Sequence, residues 1–131
     1  MSDFMSLPYD KPADNCVAFM RIWVSDIDRA EKFYSTVFGW VFQSERYQST
    51  ISVFKTGGQV MGSLHQHKEA GTKAPAVLNY IKVASVEETL KKVVEAGGKV
   101  VEDKWTEGNH TDMGTFEDTE GNLVGLLHWL M

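Results

Sequence analysis

Imidazoles are the first candidates for chemistry in this chain, because they hold metal ions and move protons near neutral pH. The sequence has four histidines. His65 and His128 close two stretches that nearly repeat each other, GGQVMGSLHQ (57–66) and EGNLVGLLHW (120–129). Aligned at Gly58 and Gly121, each reads Gly, amide, apolar, apolar, Gly, one variable residue, Leu, His, with a glycine at its centre, Gly62 or Gly125. Arg21 and Lys82 are the next candidates, each inside an apolar run, VAFMRIWV and VLNYIKV. A guanidinium so placed can clamp a carboxylate or phosphate, and a lysine adds charge. Trp23, Tyr80 and Trp129 can stack on a ring or a cation. Hydrolytic machinery is thin: no Ser-His-acid arrangement and no phosphate loop can be placed. The lone Cys16 reads as a buried thiol rather than a reactive one.

Strands and helices must position these groups. Residues 17–24 are apolar and β-rich, a buried strand. Asp26 or Asp28 can cap a following helix, whose apolar face is Ile27, Ala30, Phe33, Tyr34, Val37 and Phe38, and Gly39 ends it. Residues 76–83 repeat the strand, Val86, Leu90, Val93 and Val94 the helical stripe, and Gly97-Gly98 the stop. Setting Val24 on Val83, an offset of 59, also puts Gly39 on Gly98, Ile22 on Ile81, Phe19 on Leu78 and Val41 on Val100 without a gap. A register kept from strand to terminating glycine marks an internal repeat. Three strand-like stretches follow each helix, 41–47, 49–55 and 59–65, then 99–105, 113–117 and 122–130. The organisation expected is an N-terminal arm over 1–15 and one domain over 16–130. Module one is 16–66, the polar linker 67–75 and module two 76–130, each module β-α-β-β-β.

The totals suit that plan. A chain of 131 residues is the usual size of one domain, and 43% apolar with 24% charged residues is an ordinary globular composition. A net charge of −5 argues against nucleic acid or an anionic membrane as partner. One cysteine cannot form an internal disulfide and suits a reducing cytoplasm. No apolar run approaches the ~20 residues of a membrane span, and the N-terminal stretch does not have the charge pattern of a signal peptide. The arm's Phe4, Met5, Leu7 and Tyr9 are either disordered or packed on a neighbouring subunit.

Two motifs, VSDIDRAEKFYSTVFGW (24–40) and FEDTEGNLVGLLHW (116–129), resemble those of the vicinal oxygen chelate superfamily, also called the glyoxalase/bleomycin-resistance/extradiol-dioxygenase superfamily. The first resembles its V-x-D-x-x-R-A-x-x-F-Y-x-x-x-x-G-W, the second its F-x-D-x-x-G-N-x-x-x-L, and the likeness covers residues 16–130. The nearest branch in wording is that of small glyoxalase-related proteins of undefined substrate. The resemblance implies an α+β fold in which the two modules form one curved eight-stranded mixed sheet, with helices on the convex side and a concave ligand cup. It also implies, for metal-dependent members, four His, Glu or Gln ligands holding a divalent Lewis acid. One stands seven residues before the Asp of the first motif, and one four residues after the Gly of the second. Here those positions hold Phe19 and Gly125; the 59-residue repeat carries Phe19 to Leu78, and the echo carries Gly125 to Gly62. None of the four is a ligand. No metal or other cofactor is expected, and glyoxalase I and extradiol chemistry, which need the ion, are not.

With Gly62 facing the cup, alternation puts Leu64 beside it and turns His65 away, as it turns His128 away in the second module. The expected lining is Phe19, Arg21, Trp23, Gly62, Leu78, Tyr80, Lys82, Gly125 and Trp129, an apolar and aromatic wall with two cations. The glycines either leave room where relatives hold the ion or mark bends in the sheet. Arg21 either meets a ligand or pairs with Glu45 or Glu102, and Lys82 either adds charge or reaches solvent. Tyr80 and His110 are the acid–base groups nearest the cup. The expectation is a cytoplasmic homodimer that binds a small aromatic or anionic organic molecule without a metal, as a binder or an enzyme. The alternatives are a glyoxalase I-type lyase or isomerase with atypical ligands, and a drug-sequestering resistance protein.

Overall fold

The structure, a computed structural model, describes residues 4–5, 7, 9–66 and 77–130. The expected linker lies outside them. Strand β1 (Val17–Val24) leads into helix α1 (Ile27–Phe38). Asp26 is the N-cap, its carboxylate accepting from the Arg29 backbone N–H at 3.0 Å, which satisfies one free donor of the first turn. Gly39 ends the helix in the left-handed conformation (φ 72°), which a side chain would strain. Asp26→Ala is expected to cost about 1 kcal/mol, read as a lower thermal midpoint by circular dichroism; an unchanged midpoint would show that the cap contributes nothing.

The first module continues with β2 (Val41–Phe42), β3 (Ile51–Lys55) and β4 (Met61–Gln66). The second holds β5 (Val77–Lys82), α2 (Val86–Glu95), β6 (Lys99–Glu107), β7 (Thr111–Glu117) and β8 (Leu123–Trp129). The eight strands make a mixed sheet, so the α+β class and the doubled β-α-β-β-β plan are observed. The chain divides into two compact units, one built on β1–β4 and α1, the other on β5–β8 and α2, with residues 12–17 counted in the second. In the first unit the order is β2-β3-β4-β1, with β1 parallel to β4 and the other pairs antiparallel. In the second it is β5-β8-β7-β6, with β5 parallel to β8.

Each helix covers its own module. In the first, Ile22, Ile27, Phe54 and Leu64 form the buried core, with Met20, Val24, Tyr34 and Trp40 packed on it. In the second the core is Val83, Val86, Leu90 and Leu126. Three expectations need correction. The stretch 41–47 is not one strand: β2 stops at Phe42, and Gln48 and Ser49 take positive φ in a tight turn bridged by Tyr47 and Ile51. The apolar face of α1 is also narrower than its spelling, since Phe33, Val37 and Phe38 are more than half exposed. The place they would fill is taken by Trp40. Past the Gly39 turn, its indole stacks on Tyr34 (4.8 Å between centroids) and on Phe54 (4.5 Å). Cys16, expected to be buried, is exposed.

The leading residues are tied to the units. Lys55 Nζ donates to the Phe4 carbonyl at 3.1 Å and lies 4.6 Å from the Phe4 ring centroid, and Phe4 is buried. In the second unit the Asn15 N–H donates to the Lys82 carbonyl.

Candidate functional site

The core decides which face each strand residue takes. Leu64 is part of the helix-side core of the first unit, so Gly62 and Gln66 point that way too. Gln66 confirms it by accepting from the Ile27 N–H at the start of α1, at 2.8 Å. A Cβ on Gly62 would overlap the Met20 carbonyl oxygen and lie 2.6 Å from Phe54 Cζ, inside that core. The expected facing of Gly62 and Leu64 is therefore reversed, and His65 turns to the side of Arg21 and Trp23.

The strand registers show why. In the first unit Ile22 pairs with Leu64; in the second Ile81 pairs with Leu126. Ile22 and Ile81 are mates in the 59-residue repeat, so Leu64 and Leu126 are mates as well. They stand 62 positions apart, whereas the echo aligns residues 63 apart. The two hairpins turn on glycines at different places. Gly57 (φ 92°) comes early in the turn 56–60, and Gly121 (φ 85°) comes late in 118–122. Matching the glycines slips the strands by one residue, and a slip of one exchanges the faces. Ser63, not Gly62, is the structural mate of Gly125.

The open face of the first unit is a grid of three strands. Trp23 lies beside His65 and Ile51; Arg21 beside Ser63 and Val53; Phe19 beside Met61 and Lys55. Ser63 and His65 are bonded to each other, Oγ to Nε2 at 2.9 Å, and Ser63 is buried. The His65 ring lies 6.3 Å from the Trp23 ring, and the Arg21 guanidinium lies over Trp23 at 5.6 Å. Burial, and secondarily the charge of Arg21, push the His65 pKa down to about 4, so the imidazole is neutral at neutral pH. The nine side chains hold two cations, one imidazole and no carboxylate. Sequence reasoning missed the Ser63–His65 pair. Its signal was Ser-x-His within a strand, two positions that share a face.

The second unit presents a different surface. Leu126 sits in the helix-side core, so Gly125, Leu127 and Trp129 face the other way, with Leu78, Tyr80 and Lys82 of β5. Leu78 and Tyr80 are buried. A Cβ on Gly125 would overlap Tyr80 Cδ2 and lie 2.5 Å from Cε2, so the Tyr80 ring fills the place of a side chain there. The room expected above Gly125 does not exist. Lys82 neither reaches free solvent nor stands alone: its Nζ pairs with Asp14 at 2.5 Å. His128 donates from Nδ1 to the Val83 carbonyl at 3.0 Å, on the helix side as expected. His110 bonds Thr111 Oγ1 through Nδ1 at 2.7 Å, in the turn between β6 and β7. Trp129 pairs in register with Thr111.

The family's four ligand positions, in structural register, hold Phe19 and Ser63 in one unit and Leu78 and Gly125 in the other. Two hydrocarbons, a hydroxyl already bonded to His65 and a glycine under a tyrosine ring do not fit a divalent ion. Among the described residues no group of three His, Cys, Asp or Glu side chains could hold one. A separate cleft on the helix side of the first unit, about 690 Å³ and lined in part by Glu31, Glu45 and Arg46, is closed on itself electrostatically. Arg46 pairs with Asp28 and Glu31, and Ser52 donates to Glu31.

The model of the Glyoxalase/Bleomycin resistance protein/Dioxygenase superfamily matches residues 16–126. The chain belongs to this superfamily. It is 30% identical over 118 residues to a glyoxylase-like domain-containing protein of Didymella fabae, a match spanning 81% of this chain and 88% of that one. Its fold is similar to that of a hypothetical protein from Bacillus halodurans C-125, with a TM-score of 0.70 and 16% identity over 86% of this chain and 92% of that one. It is similar also to a Streptomyces coelicolor methylmalonyl-CoA epimerase variant in complex with 2-nitronate-propionyl-CoA, with a TM-score of 0.68 and 15% identity over 91% and 100% of the two chains. Identities this low carry the fold alone. Glyoxalase-superfamily membership therefore rests on the family match, and this chain's chemistry rests on its own side chains. Among the described residues no helix is long and apolar enough to cross a membrane.

Proposed function

We propose that this glyoxalase-superfamily protein binds a small organic acid with a flat apolar body on the open face of its first module, without a divalent ion. The observation that carries the reading is the Arg21 guanidinium over Trp23, beside the Ser63–His65 pair, on a face where the described residues of β1, β3 and β4 place no carboxylate. A charged guanidinium supplies the donors a carboxylate needs, and the indole supplies a plane for an apolar ring. The epimerase neighbour holds 2-nitronate-propionyl-CoA, an anion by name, which supports an anionic ligand for this chain as well. In the same reading the protein is a cytoplasmic homodimer that takes neither nucleic acid nor membrane. Its net charge of −5 and the exposed Phe33, Val37 and Phe38 of α1 support this. Sedimentation returning a monomer would remove the dimer.

The test is calorimetric titration with benzoate and with neutral benzamide, chelator present throughout. Benzoate is expected to bind at least tenfold more tightly than benzamide, about 1.4 kcal/mol. Arg21→Gln is expected to abolish that preference while leaving the fold intact by circular dichroism. No benzoate binding, equal binding of acid and amide, or a preference that survives Arg21→Gln would sink the reading.

A further inference from the structure

The outer edge of the second unit carries a sequence that complements itself. β6 ends the strand order there, and among the described strands it pairs only with β7. Its residues 101–106 are exposed, and two of them are large and apolar, Val101 at 53% and Trp105 at 39% exposure. An edge that shows such groups, with its unpaired backbone donors and acceptors, is a template for another strand. The strand reads KVVEDKWTE, and it matches a second copy of itself in the antiparallel sense about Asp103. Lys99 then meets Glu107, Glu102 meets Lys104 and Val101 meets Trp105, each pair formed twice. The single like-charged pair, Asp103 with its own copy, is flanked by the two Lys104 side chains. Other registers lose the match. Moving the axis to Glu102 sets Val100 on Lys104; moving it to Lys104 sets Val101 on Glu107 and Lys104 on itself.

We propose that a second copy of this chain docks on that edge, β6 antiparallel to β6, with the two-fold axis at Asp103. The inference rests on the homodimer reading above and says where the dimer forms. The faces of the side chains agree with it. Val100 pairs with Phe116, which packs on the helix-side core, and Thr106 pairs with Asp112, beside His128 on the same side. Lys99 and Glu107 therefore both take the open face, and residues directly opposite across two strands must share a face to interact. The irregular part of β6 is confined to its centre. The register passes from Val100 to Glu102 and from Glu102 to Trp105, so Val101, Asp103 and Lys104 have no partner on β7. A bulge bends its strand. Two copies related by a two-fold axis bend alike about it, and the segments on either side keep their alternation. The Trp105 indole N–H donates to the Glu102 carboxylate at 3.2 Å, which sets an apolar and an acidic member of the edge in place before the partner arrives.

The experiment is sedimentation equilibrium of the full chain and its variants, with circular dichroism to show that each is folded. The wild-type chain is expected to dimerise. Lys99→Glu and Glu107→Lys should each weaken the dimer at least tenfold, and the double variant, whose net charge is unchanged, should recover it. Crosslinking fixes the register. In a chain carrying Cys16→Ser, Asp103→Cys should oxidise to a disulfide-linked dimer, because residues at the axis lie about 4.5–5.5 Å apart between Cα atoms, within disulfide reach. Thr106→Cys should not, since its two copies would stand about 20 Å apart. A dimer that both charge reversals leave intact, a double variant that stays monomeric, or equal crosslinking at the two positions overturns this inference and leaves the homodimer reading standing. So does a dimer lost with Phe33→Glu and kept with the β6 variants, which would place the contact on α1. A wild-type monomer overturns both.

Discussion

Gly62→Ala is expected to destabilise the protein by about 3 kcal/mol and to lower its thermal midpoint by roughly 10 °C. The cause is steric. An added methyl would overlap the Met20 carbonyl oxygen of β1 and approach Phe54 Cζ to 2.6 Å. The carbonyl cannot swing away, because Met20 and Gly62 are register partners in the parallel pairing of β1 and β4. The ring cannot move freely either. Phe54 is fully buried and lies under Trp40, which lies under Tyr34, the two stacks each within 7° of parallel. Displacing Phe54 therefore loosens the column that holds the end of α1 to the sheet. Loss of near-ultraviolet circular dichroism should accompany the lower stability. Phe54→Leu in the same chain should relieve part of the cost and not all of it, because the carbonyl remains. Gly58→Ala is the control: its nearest neighbour would be 3.8 Å away, and the change should stay within about 0.5 kcal/mol. If Gly62→Ala were equally mild, Gly62 would face open space, and the register inferred from Leu64 would be wrong.

The same residue shows where sequence reading reached its limit. The two modules, the cap of the first helix, the Gly39 stop and most strands were legible, because capping and periodicity are local properties that the sequence states directly. The 59-residue repeat was legible too, since strand, helix and glycine keep one spacing. The face of β4 was not. Whether Gly62 or Ser63 matches Gly125 depends on how a hairpin turns, and the two hairpins place their positive-φ glycines differently. One residue of slip carried His65 from the open face to the helix side and hid its bond to Ser63. The conclusion about ligands survived the slip because neither Gly62 nor Ser63 suits the ion. Arg21 and Trp23 were found because β1 needed no such alignment. Phe33, Val37 and Phe38 were misjudged for another reason. A helical stripe says what could be buried, while Trp40 decides what is, and its return past Gly39 is a tertiary event.

Gly125 and Tyr80 give the second large effect, and it is one of coupling. Tyr80→Ala empties a buried aromatic site and is expected to cost about 3–5 kcal/mol. Gly125→Ala alone pushes a methyl into the same ring and is expected to cost about 1–3 kcal/mol. The double variant should cost no more than Tyr80→Ala by itself, because the three atoms nearest the new methyl all belong to the Tyr80 ring and are then gone. Denaturant unfolding of the four proteins measures the interaction directly. A coupling near zero would mean that the ring does not exclude the side chain, and that Gly125 is a glycine for a backbone reason instead. The predicted coupling bears on function through geometry. Tyr80 and Gly125 are register partners on parallel strands, and the ring folds over the position where metal-dependent relatives are expected to carry a ligand. In this module the ligand position is packed with hydrocarbon and cannot accept a carboxylate or imidazole without removing the tyrosine. Under the proposed function, polar recognition would fall to the first module's face, where Arg21 shares a row with Ser63 and Ser63 is bonded to His65.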